Sequence, residues 1–128
     1  MTEWSWLLRE TVIAAHDRQL AEHGGPSGLR NAGGLESALA RAPNLAAYEE
    51  PDAAALAAAY AAGIARNHPF VDGNKRTAWI AARIFLRING IELSFDHADA
   101  TRMMLVLAAG ELTEDEVAEW FRQRVRSA

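Results

Sequence analysis

The chain contains no cysteine. A disulfide framework and thiolate metal sites are therefore excluded, and the composition fits a reducing compartment. Long apolar runs are also missing. Nothing approaches the roughly 18 to 20 consecutive apolar residues of a membrane span, since the run from Ala53 to Ala65 is shorter and mostly alanine. Residues Met1 to Trp6 show no basic segment leading into an apolar one, so no secretory leader is expected and the chain reads as cytoplasmic. A positive surplus is lacking as well. The formal net charge of −4 argues against a general nucleic-acid binder, whose affinity for a phosphate backbone needs a basic surface. Lysine is almost absent: of the 13 basic residues other than histidine, Lys75 alone is a lysine.

What remains is a chain of 128 residues, half of them hydrophobic, enough for one domain spanning 1–128 with a real core. Alanine is abundant and β-branched residues are few, which favours helix. Leu8, Val12, His16 and Leu20 recur at four-residue spacing and predict a first helix ending at Gly24-Gly25-Pro26. A glycine-rich connection, Pro26 to Gly34, leads to a short helix through Leu35 and Leu39 that should stop before Pro43. Asn44 to Glu50 reads as a loop or flap. A third helix starts near Pro51-Asp52, carries Leu56, Tyr60 and Ile64 on one face, and runs up to His68-Pro69. A fourth follows the loop at Val71 to Gly73, with Ile80, Ile84 and Ile88 inward and Asn89-Gly90 closing it. Ser94 to Asp96 can cap a fifth, carrying Met103, Val106 and Leu107. Thr113 and Glu116 form a capping-box pattern for a sixth, with Val117, Trp120, Phe121 and Val125 inward. The expected fold is all-α, a compact single-domain bundle of about six helices.

The chemistry concentrates between the third and fourth helices, in His68-Pro69-Phe70-Val71-Asp72-Gly73-Asn74-Lys75-Arg76. Each residue has a physical role if the ligand is a nucleotide. Gly73 lets the backbone approach a phosphate, and the free amides opening the next helix attract anions. Asn74 can donate to a phosphate oxygen, Lys75 supplies a compact charge, and Arg76 offers a planar fork. Asp72 is an oxygen ligand of the kind Mg²⁺ takes when water and phosphate fill most of its shell. His68 is the type of group that accepts a proton from an attacking hydroxyl. Phe70 alternates with these groups and should anchor the loop in the core. The lone lysine of an arginine-rich chain falls inside this cluster.

His68-Pro69-Phe70-x-Asp72-Gly73-Asn74-Lys75-Arg76 resembles the signature of the Fic/Doc family, and its Asn-Lys-Arg ending resembles the Doc (death-on-curing toxin) branch. Eight specified positions would coincide by accident about once in 10^10 starts at about one residue in twenty. The likeness continues through His16-Asp17, Gly24-Gly25, Glu36 to Leu39, Tyr48 to Glu50, Thr77-Ala78 and Asn89-Gly90, and so covers nearly the whole chain. It implies a helical bundle with the motif in a loop and the first turn of the next helix. His68 would be the base, Asp72 would help position Mg²⁺, and Gly73 to Arg76 would bind the phosphates of ATP. Most relatives carry glycine where Lys75 stands and transfer AMP to a hydroxyl. In the Doc branch, lysine there implies a reversed nucleotide and a protein kinase acting on a threonine of elongation factor Tu, which halts translation. Pro69 and Gly73 match the AMP-transferring branch, so the kinase reading rests on Lys75.

The resemblance also implies an inhibitor. Many relatives silence themselves with a Ser/Thr-x-x-x-Glu helix, and no Ser or Thr here has Glu four residues later. An antitoxin of the Phd type acting in trans is therefore expected, seated in an apolar groove near the N-terminal helices. Outside the motif, Arg66 is either a phosphate contact or a solvated helix end. His16 reads as a satisfied core histidine, and His23 and His97 as surface residues. Met103 and Met104 read as core, and Trp4 and Trp6 as packing for the first helix. The alternatives to a toxin kinase are a protein AMP-transferase and a non-enzymatic helical binding module. No membrane partner and no direct nucleic-acid binding are expected.

Overall fold

The computed structural model describes residues 3–127, which contain six helices and one two-stranded sheet. In chain order the elements are α1 (Arg9–His23), α2 (Ala32–Tyr48), α3 (Ala53–Asn67), α4 (Asn74–Ile88), β1 (Ile91–Leu93), α5 (His97–Ala108), α6 (Glu114–Arg122) and β2 (Val125–Ser127). The strands pair antiparallel, Ile91 opposite Ser127 and Leu93 opposite Val125.

Alanine explains the centre. Between Ala53 and Ala65 every residue of α3 except Ala55 and Gly63 is buried, because a helix that is apolar all round must be covered on all sides. It packs against α2, α4 and α6. Small side chains let these neighbours come close: a methyl added at Gly63 would lie 3.1 Å from Ala38 Cα on α2. Larger side chains gather at the two ends of this small-residue centre. Trp4, Trp6 and Tyr60 pack on Phe85, with ring centroids 5.2 to 6.1 Å away. Leu7 N–H donates to Tyr60 Oη at 3.2 Å, tying the N-terminal segment to the core, and burial pushes the Tyr60 phenol above its ordinary pKa. At the other end Trp79 meets Phe95, Trp120 and Phe121.

Local signals set the helix starts. Asp96 caps α5 through Asp99 N–H, and Thr113 and Glu116 form the expected capping box on α6. Met103 and Met104 are buried and His23 and His97 exposed, as expected. No helix among the described residues is long and apolar enough to cross a membrane.

Four expectations are corrected. The helix expected to stop before Pro43 runs through it to Tyr48, so Asn44 to Tyr48 is helix and not a flap. Proline removes one backbone bond, but Leu35, Ala38 and Ala42 bury against the core on the same helix and hold it. The glycine-rich connection is shorter than Pro26 to Gly34, because Asn31 accepts from Gly34 N–H at 2.8 Å and starts α2 at Ala32. On α4 the buried face is Thr77, Ala78, Ala81, Ala82, Phe85 and Leu86. Ile80 and Ile84 are half-buried and Ile88 is 46% exposed. The three alanines bring α4 close to α3 and Phe85 and Leu86 fill the core at its far end, so the isoleucines lie on its flank. Val125 is inward-leaning but belongs to a strand, and neither three-residue strand was expected.

Asp52 is the stapling residue of α3. Its carboxylate accepts from Ala55 N–H at 2.9 Å and pairs with Arg122 at 2.6 Å. The hydrogen bond from Arg122 is the largest cause holding its pKa below the ordinary 3.8. Asp52→Ala should cost about 1 kcal/mol in urea unfolding at neutral pH, chiefly from the lost cap, because an exposed ion pair adds little. A carboxylate with a lowered folded pKa stabilises above its unfolded value and loses that contribution as pH falls through the folded one. The gap between wild type and Asp52→Ala should therefore narrow as pH drops below 3.8; a gap constant down to pH about 2 would contradict this.

Candidate active site

The turn that ends α3 places His68 in the left-handed region, φ 45° and ψ 55°, as the cap of that helix. Its carbonyl accepts from the Arg30 guanidinium at 3.1 Å. Pro69 O accepts from both Arg30 N–H (2.8 Å) and Asn31 N–H (2.9 Å), and Val71 N–H donates to Gly28 O at 3.0 Å. Leu29 and Phe70 form an isolated antiparallel bridge. The segment from Gly28 to Asn31 is thus fastened along the motif loop.

Phe70 is the loop's anchor, as expected. It is 1% exposed, and its ring lies parallel to His16, centroids 3.8 Å apart. Asn74 closes the loop behind it: its Oδ1 accepts from Phe70 N–H and its Nδ2 donates to Phe70 O, both at 2.9 Å. The side chain expected to meet a phosphate is thus engaged with the loop's own backbone. His16, read as a satisfied core histidine, is 1% exposed, and its Nε2–H donates to Asp72 O at 2.7 Å. Gly73 caps α4 at φ 79°, and a Cβ there would sit 1.9 Å from Gln19 Nε2. Both the conformation and the space require glycine.

A hollow of about 420 Å³ opens on this loop, lined by His68 and by Asp72 to Arg76. The fold therefore brings together six of the seven residues singled out in the sequence. Arg66 is the exception. Its guanidinium donates to Leu112 O at 2.9 Å, in a separate recess with Arg41 and Glu114. Two polar side chains of the hollow were not singled out, Gln19 and Arg30. Gln19 lies three residues after His16, on the same face of α1; that spacing was the available signal. Arg30 reaches the hollow through a long-range pairing that spacing does not reveal.

The electrostatics are one-sided. Among the described residues Lys75, Arg76 and Arg30 make no ion pair. They stand beside the N-terminus of α4, whose first amides have no partner within the helix and whose dipole is positive there. Asp72 supplies the one carboxylate, with Oδ1 accepting from Gly73 N–H at 2.8 Å. No group of three or more potential protein ligands for a metal exists among the described residues. A cation here would have to take most of its shell from water and ligand oxygens, as Mg²⁺ does. Lys75 and Arg76 also line a second cleft of about 240 Å³ bounded by Trp79, Phe95, His97 and Met104. A polar, cationic hollow and an aromatic cleft are therefore contiguous.

The sequence pattern of the Fic/DOC family matches residues 6–86. The chain is 37% identical over 120 residues to a protein named "Protein kinase doc" from Escherichia phage P1, covering 93% of this chain and 94% of that one. It is 41% identical over 123 residues to "Toxin Doc" of Mycolicibacterium smegmatis, covering 92% and 90%.

The clamp made by Asn74 is testable without any ligand. Asn74→Ala should cost about 1–3 kcal/mol in urea unfolding, since it leaves the Phe70 backbone groups unsatisfied. Lys75→Ala, exposed and unpaired, should stay within about 0.5 kcal/mol. Equal losses from the two would contradict the division between a structural Asn74 and a Lys75 that only lines the hollow.

Proposed function

The chain belongs to the Fic/Doc family, and from that premise we propose that it is the toxin of a toxin–antitoxin pair, a kinase transferring the γ-phosphate of ATP to a Ser/Thr hydroxyl of a protein. Elongation factor Tu is the target that the Doc resemblance suggests, with arrest of translation as the outcome. The observation that carries the reading is the meeting of Lys75 and Arg76, unpaired at the open start of α4, with His68 and Asp72 in one hollow.

The chemistry follows from those positions. The helix amides, Lys75 and Arg76 hold the phosphate oxygens and stabilise charge that builds on the transferred group. His68 takes the proton as the acceptor hydroxyl oxygen bonds to the γ-phosphorus and the bond to the β–γ bridging oxygen breaks, releasing ADP. Asp72 is the residue that would hold Mg²⁺, which when bound neutralises phosphate charge. The aromatic cleft behind Lys75 and Arg76 suits the flat, apolar base of the nucleotide.

An inhibitor in trans fits the surface. Ile80 and Ile84 on the flank of α4 line a groove shared with α1, and a second hollow with β1. The α1 groove, where Ala14, Ala15, Ile80 and Ile84 lie beside Arg18 and Glu22, suits an amphipathic helix of a Phd-type antitoxin that folds on binding. A second reading, AMP transfer, is favoured by Pro69 and Gly73, which match the AMP-transferring pattern.

Incubation with bacterial lysate and ATP labelled at either the α or the γ position separates the two readings. Label should reach protein from the γ position alone; transfer from the α position would replace the kinase reading with AMP transfer. His68→Ala should slow transfer about 10²–10⁴-fold while ATP binding persists, and unchanged transfer would remove His68 from the mechanism. Expression of the chain alone should arrest growth, and co-expression with its antitoxin should restore it. A harmless chain that is an active kinase when purified would defeat the toxin assignment.

A further inference from the structure

The peptide joining Asp72 to Gly73 leads directly into the open start of α4. Gly73 stands at φ 79°, and glycine occupies positive and negative φ with similar ease. Rotating this peptide unit by half a turn would therefore meet little resistance from Gly73 itself. The rotation would swing the Asp72 carbonyl out of its buried position toward the mouth of the α4 N-terminus. A carbonyl oxygen there would oppose an anion where the helix otherwise offers amides alone. Within the loop the exposed Asp72 carboxylate holds the amide side, its Oδ1 accepting from Gly73 N–H at 2.8 Å; the carbonyl side takes its donor from outside.

We propose that His16, with Gln19 beside it, is a positioning residue of the phosphate site: from α1 it fixes the Asp72–Gly73 peptide so that carbonyls face the protein and amides face the hollow. His16 Nε2–H donates to Asp72 O at 2.7 Å, a short bond made by a side chain that is 1% exposed. The imidazole cannot swing away, because it lies flat on Phe70 at 3.8 Å. Phe70 is in turn held by Asn74, the first residue of α4. The donor is thus anchored to the element whose amides it exposes. Gln19 acts on the next carbonyl: its Nε2 reaches Gly73 O at 3.5 Å and fills the space a Gly73 side chain would need. Gly73 O also takes the first backbone bond of α4 from Thr77 N–H, at 3.0 Å. Both carbonyls before the open helix turn are therefore committed away from the hollow. His16 does not reach the hollow, and only Gln19 of this pair lines it.

The proposal rests on the nucleotide reading for its consequence but not for its geometry, and the test separates the two. His16→Phe keeps the ring stack and volume but deletes the donor; His16→Gln keeps an amide N–H at similar reach. Each is measured by circular dichroism, by hydrogen exchange of the Thr77 amide, which is bonded to Gly73 O, and by calorimetric binding of Mg-ATP. For His16→Phe the helical signal should remain, the Thr77 amide should exchange about tenfold faster, and the Mg-ATP dissociation constant should rise about tenfold, as expected for one lost hydrogen bond. His16→Gln should restore most of both. Wild-type exchange in folded His16→Phe overturns the proposal, as does loosened exchange in His16→Gln. If His16→Phe does not fold, His16→Gln decides: wild-type exchange and binding support the donor's role, and fast exchange overturns it. If the wild-type chain binds no Mg-ATP, the nucleotide reading fails, and the exchange comparison still decides whether His16 holds the peptide.

Discussion

Phe70 is buried while Val71 and Asp72 beside it are at the surface, and that contrast organises the site. A loop rich in polar groups would otherwise lie loosely over the gap between α1 and α4. One aromatic ring driven into the core fixes its depth, since burying a side chain of this size is worth roughly 1.5–3 kcal/mol. Asn74 then fixes its direction by occupying both backbone groups of Phe70. Because Asn74 also begins α4, the anchor and the anion-attracting helix end are one rigid unit. The flanking segment from Gly28 to Asn31 completes the frame through backbone bonds to Pro69 and Val71.

Much of this was legible in the sequence wherever the information is local. A capping box needs two residues three apart, and Thr113 with Glu116 behaved as that spacing requires. Tyr60 and Ile64 follow a helical period on α3 and are buried. Misreadings came where a distant neighbour decides. Pro43 weakens its own helix locally, yet α2 continues because residues on both sides of it pack on the core. The isoleucines of α4 look like its inner stripe by size, but the face turned to the core carries Ala78, Ala81 and Ala82 with Phe85 and Leu86. The two short strands pair residues more than thirty positions apart, and neither carries an alternating pattern long enough to announce itself.

The site shows the same division. Residues adjacent in sequence, His68 and Asp72 to Arg76, could be assigned to one surface because a loop and the first turn of a helix keep near neighbours together. The role of Asn74 could not, since its choice between a phosphate and the loop backbone depends on the three-dimensional turn. Charge followed suit. A net charge of −4 describes the whole surface, whereas binding responds to the local field, and three unpaired cations beside a helix N-terminus make that field positive. Asp72 apart, the acidic residues that pair with arginine lie elsewhere: Glu114 with Arg41, Asp99 with Arg124, Asp52 and Glu119 with Arg122. Pairing neutralises those arginines and leaves the cations of the hollow free for a ligand.

The backbone of His68 carries the last step. Left-handed geometry costs a residue with a side chain about 1–2 kcal/mol over the right-handed helix, and among the described residues His68 is the one non-glycine that adopts it. Glycine would end α3 there without that cost, as it does in most caps of this kind. The sharp reversal is needed because Pro69 and Phe70 must turn inward within two residues of the end of α3. Keeping an imidazole at the turn is a local conflict that the surroundings must hold in place. They do so through His68 N–H to Ile64 O at 3.2 Å and Arg30 to His68 O at 3.1 Å. Strain retained where a cheaper residue would fit points to chemistry rather than stability. In the proposed kinase the chemistry is proton transfer, and the reversal is what puts the base on the rim of the hollow while its neighbours bury the anchor.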